Sequence, residues 1–541
     1  MRRSASVLIG LLGLVASADV AAVRPALAQS GSQASPPAPP RVFLDTSYQA
    51  PTGRTVAVRA GSDLQAALNA AQPGEVISLE PGAVFRGNFV LPKKAGDRWL
   101  VVRSGAPDEK LPPPGSRVTP ASAAVMPKIL SPNQGPALSA APGAHHYRLI
   151  GIELATTLEV KETYSIVAFG GDQPSEAETP HNLIVDRCFV HGHAQLSSRR
   201  GVLLNSAASA VIDSHISEIH AVGADSQAIL GYNGRGPFKI VNNYLEAAAE
   251  NIMFGGSDPA IRDLVPSDIE IRGNHLFKPM RWRPGDPTFA GVAWTVKNLL
   301  ELKNAQRVLI EDNLLENNWA TALVLTPRNQ GRNAPWSVVQ DVLFRNNVVR
   351  NVVSGFVVQG SDDGAPSESA KRIAITNNLW FFSRTFFGIT AGLGAPLEDL
   401  VVDHNTAIPG GYSAYFVDVR TVPALVRFRL TNNVMAFGGY GATFLKPNET
   451  WTAALPGVSI ARNALVNMAD TADGQGAVRN RPPDYAQALY TSFPSAAAAG
   501  LNPDGTLTDK SPNRRAGTDG KDVGVDFEQL RRAMASATAG K

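Results

Sequence analysis

One motif recurs through the middle of this 541-residue chain: a short run of alternating apolar and polar residues that ends at an asparagine and leads into a second apolar run. It reads Ile269-Glu270-Ile271-Arg272-Gly273-Asn274, then Val308-Leu309-Ile310-Glu311-Asp312-Asn313, then Val342-Leu343-Phe344-Arg345-Asn346-Asn347, and it closes in the same way at Asn243, Asn378, Asn405 and Asn433. Intervals of roughly 27–39 residues lie in the range where periodicity signifies a solenoid. Alternation gives each run one buried face. Asparagine tolerates the left-handed backbone, and its amide can hydrogen-bond along a stack of identical turns, so each asparagine is expected at a corner. These features predict an all-β chain, a single-domain right-handed parallel β-helix with the seven asparagines stacked on one edge.

A solenoid grows by adding coils, so this length is compatible with one unit. The 48 glycines and 39 prolines suit many short strands joined by loops. A net charge of +3 without a long basic run argues against nucleic acid as the partner. The single cysteine, Cys188, excludes an intramolecular disulfide and reads as a small core residue.

Both ends carry their own signals. Arg2-Arg3, the apolar stretch Val7 to Ala18 and Ala26-Leu27-Ala28 predict a signal peptide over 1–28, hence export to the periplasm or outside the cell, and no stretch is long enough for a membrane span. Residues 29–40, rich in Ser and Pro, read as a flexible linker to a domain over 41–541. Ser62-Asp63-Leu64-Gln65 forms a capping box ahead of a short amphipathic helix, a lid for the open first coil. The cap spans 55–92, the coils roughly 145–470, and a closing segment with a helix near Phe527 to Met534 spans 485–541.

Candidate chemistry comes from the strand after each turn. If Leu300 and Leu302 point inward, Glu301 and Lys303 point outward, and the same parity puts Thr326 and Arg328 outside on the next coil. Lys303 and Arg328 are then neighbours on one surface. Abstracting a proton alpha to a uronate carboxylate needs a base and a cation that neutralises the carboxylate, and these two residues supply both.

The segment Thr55 to Pro92 resembles the N-terminal cap of the pectate-lyase-like β-helix superfamily, and Gly517 to Gly524 with the following helix resembles its closing segment. Leu302-Lys303-Asn304 ahead of a Val-x-Ile strand and an asparagine turn, with an arginine one coil later, resembles the chondroitinase B and alginate lyase branch of polysaccharide lyases. The resemblance implies Lys303 as the base, Arg328 as its assistant, and calcium held by carboxylates and an asparagine. Where that branch carries its acidic cluster before the lysine, this chain reads Thr295-Val296-Lys297-Asn298.

Other residues gather near these coils. Glu250, Asn251 and Asp258, beside Gly255-Gly256, are the candidate calcium donors. A long insertion over Phe277 to Val296 brings Lys278, Arg281, Trp282, Arg283 and Trp294, which with Glu301 and Gln359 form the candidate substrate-binding set; cations attract an anionic glycan and indoles stack on sugar rings. The functional expectation is a monomeric lyase acting on an acidic polysaccharide. A polygalacturonase-like hydrolase, a uronan C5-epimerase and a non-catalytic glycan-binding protein are the alternatives.

Overall fold

Every ladder between consecutive coils is parallel. Ile269, Val308, Val342, Ile373 and Leu400 stand in one register across five successive strands, and all are buried. The computed structural model describes residues 34–393, 396–410, 415–419, 425–436, 441–443, 458–468 and 490–537. Residues 33–541 form one compact unit. The predicted signal peptide lies outside the described residues.

Each coil runs through three sheets. A first strand such as Ala305–Glu311 turns at an asparagine into a second strand, which bends into a third. In earlier coils the last two are separate, as in Tyr244–Ala247 and Glu250–Phe254; in Leu314–Leu325, Val348–Gln359 and Leu379–Thr390 they form one 12-residue strand. Inward residues from all three faces make one continuous core.

The asparagines stack as expected. Asn313 Oδ1 accepts from Asn274 N at 2.9 Å and from Asn274 Nδ2 at 3.0 Å, and its own Nδ2 donates to Asn347 Oδ1 at 3.0 Å and to Ile271 O at 3.0 Å. The pattern runs from Asn243 through Asn274, Asn313, Asn347, Asn378, Asn405 and Asn433 to Asn463. Towards the N-terminus Ser214 and Cys188 continue the column: Ser214 N donates to Asn243 Oδ1, and Cys188 N to Ser214 Oγ. Burial pushes the Cys188 thiol up to about 12. One detail departs from expectation: the left-handed residue is the one before each ladder asparagine, as at Asn242, Asp312, Asn346 and Asn377, with φ of 57°, 62°, 55° and 54°. That residue turns the chain, which frees the asparagine to face inward and stack.

The two ends also differ from the sequence reading. The lid helix is Leu64–Ala70, but its cap is Asp63, whose side chain accepts from Ala66 N. Gln65 does not complete a capping box; it bonds both backbone groups of Val90, at 2.8 and 2.9 Å, and so ties the lid to a strand edge. The helix Phe527–Ala537 does not close an end. Leu530 and Met534 pack on Leu314 and Leu379, apolar residues on the outer side of the second sheet.

The proline-rich segment is not a free linker. Ser35 N, Ala38 N and Arg41 N donate to Asp399, Asp341 and Asp268 at 2.9, 2.9 and 2.8 Å, and the run continues to Thr46 O, which accepts from Arg148 at 2.9 Å. The three aspartates belong to a column that alternates in charge from coil to coil: Asp268, Arg307, Asp341, Arg372, Asp399, Arg427, each in left-handed conformation. Arg307 pairs with Asp268, Arg372 with Asp341, and Arg427 with Asp399. The spacings agree: a polyproline II turn of three residues rises about 9.3 Å, and two coils span about 9.6 Å.

Two outcomes follow. Asn347→Ala, which strands buried amide and carbonyl groups on both neighbouring coils, should cost about 3 kcal/mol or more in urea unfolding. Asp341→Ala should expose residues 34–41 to limited proteolysis with the coils intact. Although partial burial opposes ionisation, bonds from Arg372 and Ala38 N hold the Asp341 carboxyl below its ordinary 3.8. The strap's contribution is therefore complete at neutral pH and is lost as the pH falls through that depressed value.

Candidate active site

The third sheet stacks Ile229, Ile252, Leu300 and Leu323 inward in one register, which puts Leu230, Met253, Glu301 and Val324 on the outer side. Lys303 follows at the strand end and shares a column with Thr326, Gln359 and Thr390. Outward parity thus agrees with the sequence reading, but exposure does not: Glu301 is 5% exposed and Lys303 9%. Asn298 Nδ2 donates to Glu301 Oε2 at 3.0 Å, and Lys303 Nζ lies 3.6 Å from Glu301 Oε1. Gly255 crosses directly beside the lysine; with φ at +93°, a Cβ there would stand 2.8 Å from Lys303 Cβ and 2.6 Å from Asn304 N. Only glycine permits that approach.

Arg328 is the backbone neighbour of Lys303, its amide N donating to Lys303 O at 2.8 Å. Its guanidinium is paired with Asp362 at 2.9 Å and with Asp363. The Asp362 carboxyl is itself held below its ordinary range: partial burial opposes this, but bonds from Gly364 N and Asn329 N and the charge of Arg328 outweigh it. Arg328 is therefore engaged by carboxylates. Gln359 is mostly covered, donating to Ser361 O at 2.6 Å.

The insertion differs most from the expected binding wall. Lys278 is fully buried, its ammonium on Ala247 O, Ala248 O and Ala249 O at 2.8, 2.8 and 2.9 Å and on Asn251 Oδ1 at 3.2 Å. Trp294 stacks on His220 at 3.8 Å between ring centroids, and Trp282 meets the same ring edge-on. Arg281 pairs with Glu218 at 2.6 Å and Glu246 at 3.2 Å. Burial and the neighbouring Glu218 push the Glu246 carboxyl up to about 7. Lys278, Trp282 and Trp294 are thus packing residues: the insertion buries its own indoles and covers the carbonyls of residues 247–249. Of the set, only Arg283 is exposed.

The calcium donors do not converge. Asn251 uses Nδ2 on Leu245 O and Phe277 O, and its Oδ1 faces Lys278. Asp258 caps another loop, accepting from Gly331 N and Asn333 N, beside a cavity of about 780 Å³ lined by Arg262, Asp263, Asn333 and Trp336. Glu250 is fully buried, with Gln227 Nε2 on one oxygen at 2.7 Å and Lys297 Nζ 2.9 Å from the other, an ion pair without hydrogen-bond alignment. Among the described residues no group of three or more His, Cys, Asp or Glu side chains could hold a metal. Calcium takes 6–8 oxygens, and these residues do not fit it. What alternation could not reveal is Lys297, whose partners Asp225 and Glu250 are 72 and 47 positions away in sequence.

No family model and no curated protein matches the chain. Solved structures do. The chain is similar to an alginate lyase from Paenibacillus sp. str. FPU-7 at 12% identity, over 66% of this chain and 99% of that one, with a TM-score of 0.34. It is also similar to a PL6-family alginate lyase at 13% identity, over 87% of this chain but only 58% of that one, with a TM-score of 0.41. A mannuronan C-5 epimerase module from Azotobacter vinelandii shares 14% identity over 74% and 99%, with a TM-score of 0.38. Likeness at that level assigns no activity, and the parallel β-helix is read from the chain's own ladders. No helix among the described residues is long and apolar enough to cross a membrane.

Lys278→Met should destabilise the protein by about 2–4 kcal/mol, because buried acceptors lose their donor. Urea unfolding of the variant beside the parent measures the loss.

Proposed function

We propose that the chain is an exported lyase that cleaves an acidic, uronate-containing glycan by β-elimination, with Lys303 as base and Arg328 steadying the developing enolate. The observation that carries this reading is the bond from Arg328 N to Lys303 O, which makes the two residues backbone neighbours on consecutive coils. Elimination requires that a proton leave the carbon alpha to the carboxylate while a fixed cation stabilises the charge that develops there. Glu301, 3.6 Å from the ammonium, orients Lys303 along the sheet. Arg328 keeps the buried Asp362 and exchanges Asp363, whose side chain is 61% exposed, for the uronate carboxylate. An exposed pair of that kind is weak and readily displaced. Thr390, half-buried in the column of Lys303, offers a hydroxyl on the same surface.

An inverting hydrolase needs two carboxylates about 6.5–9.5 Å apart across a water; here Asp362 and Asp363 both pair with Arg328, which weighs against it. Incubation with alginate, pectate, glucuronan and glycosaminoglycans, followed by unsaturated-uronate absorbance, is the test. Absorbance should grow on one of them. Reducing ends without absorbance would mean hydrolysis, altered uronate composition without cleavage would mean epimerisation, and retention without turnover would mean binding alone. Lys303→Ala should lower turnover by roughly 10²-fold or more with folding intact, as expected for loss of a general base. Arg328→Lys should also be impaired, since an ammonium lacks the two-pronged hold on a carboxylate.

A further inference from the structure

Lys278 stands just inside the start of the insertion and Lys297 just past its end, and each ammonium faces oxygens. Lys278 sits on three carbonyls and the Asn251 amide. Lys297, at the other end, lies 2.9 Å from Asp225 Oδ2 and 2.9 Å from Glu250 Oε1. We infer that Lys297 is a built-in cation: its ammonium occupies the place a divalent metal would take beside Lys303, so that the chain handles an anionic glycan without calcium. The inference rests on the reading of Lys303 as the base.

Three observations carry it. Glu250 is fully buried, and a buried carboxylate requires a compensating charge at contact distance. Lys297 is the cation that meets that carboxylate, and a metal bound to the same two oxygens would stand against the ammonium with nothing to screen the repulsion. Finally, Lys297 keeps a third of its side chain exposed, so an anion lying on the third sheet can reach it. The backbone is fixed as well, since Lys297 N donates to Ala248 O at 3.3 Å.

The test is calcium titration by isothermal calorimetry at neutral pH on the full chain after EDTA treatment, using wild type, Lys297→Gln and Lys297→Arg. Wild type and Lys297→Arg should give no binding heat up to millimolar calcium. Lys297→Gln, which leaves Asp225 and Glu250 without the ammonium they share, should gain calcium affinity by about tenfold or more. Calcium binding by wild type overturns the inference, as does a folded Lys297→Gln that ignores calcium. Should Lys297→Gln not fold, the wild-type and Lys297→Arg titrations still decide, because binding heat in either overturns it. These heats do not depend on turnover, so absence of lyase activity with the expected heats would refute the reading of Lys303 and leave the cation assignment standing.

Discussion

Everything in this molecule depends on the amide ladder at the corner between the first two sheets. Parallel strands bond evenly along their length, so backbone pairing alone would tolerate a slip of register. The asparagine column does not tolerate it. Each side chain accepts two bonds from the coil before and donates both to that coil's backbone and to the coil after, as at Asn313 and Asn347. A coil displaced by one residue would strand these groups in a water-free interior. The left-handed residue before each asparagine makes the geometry available at every turn.

With register fixed there, the outer faces become columns of residues read from coil to coil, and chemistry follows from what stands in each column. The Asp268 to Arg427 column alternates in sign, and each side chain pairs with the rung beside it. The Lys303, Thr326, Gln359 and Thr390 column is polar and borders one in which Glu301 stands between Met253 and Val324.

Much of the fold was legible in the chain because one chemical identity, asparagine, recurs at each corner. Rungs of other identity were not: Ser214 and Cys188 occupy ladder positions without resembling asparagine, and in pairs such as Asn346-Asn347 sequence alone does not tell the turning residue from the stacking one. Parity of Glu301 and Lys303 follows from alternation, but their burial comes from Asn298 and Gly255, contributed by loops outside that strand. Trp282 and Trp294 have the composition of a sugar platform; the partner that makes them core, His220, lies on another coil.

The strap over Ser35 to Arg41 imposes an order of events. Its acceptors lie 227 to 364 residues further along, so the part of the domain synthesised first is among the last to find its place. Until the coil bearing Asp399 exists, the segment has only part of its docking column. Its prolines hold it extended meanwhile, which limits the entropy lost on docking. Once seated it reports on distant coils at once, and a chain with a missing or misregistered coil would present aspartates out of step with the three-residue rise. Seating of the strap thus depends on the register of the coils from Asp268 to Asp399.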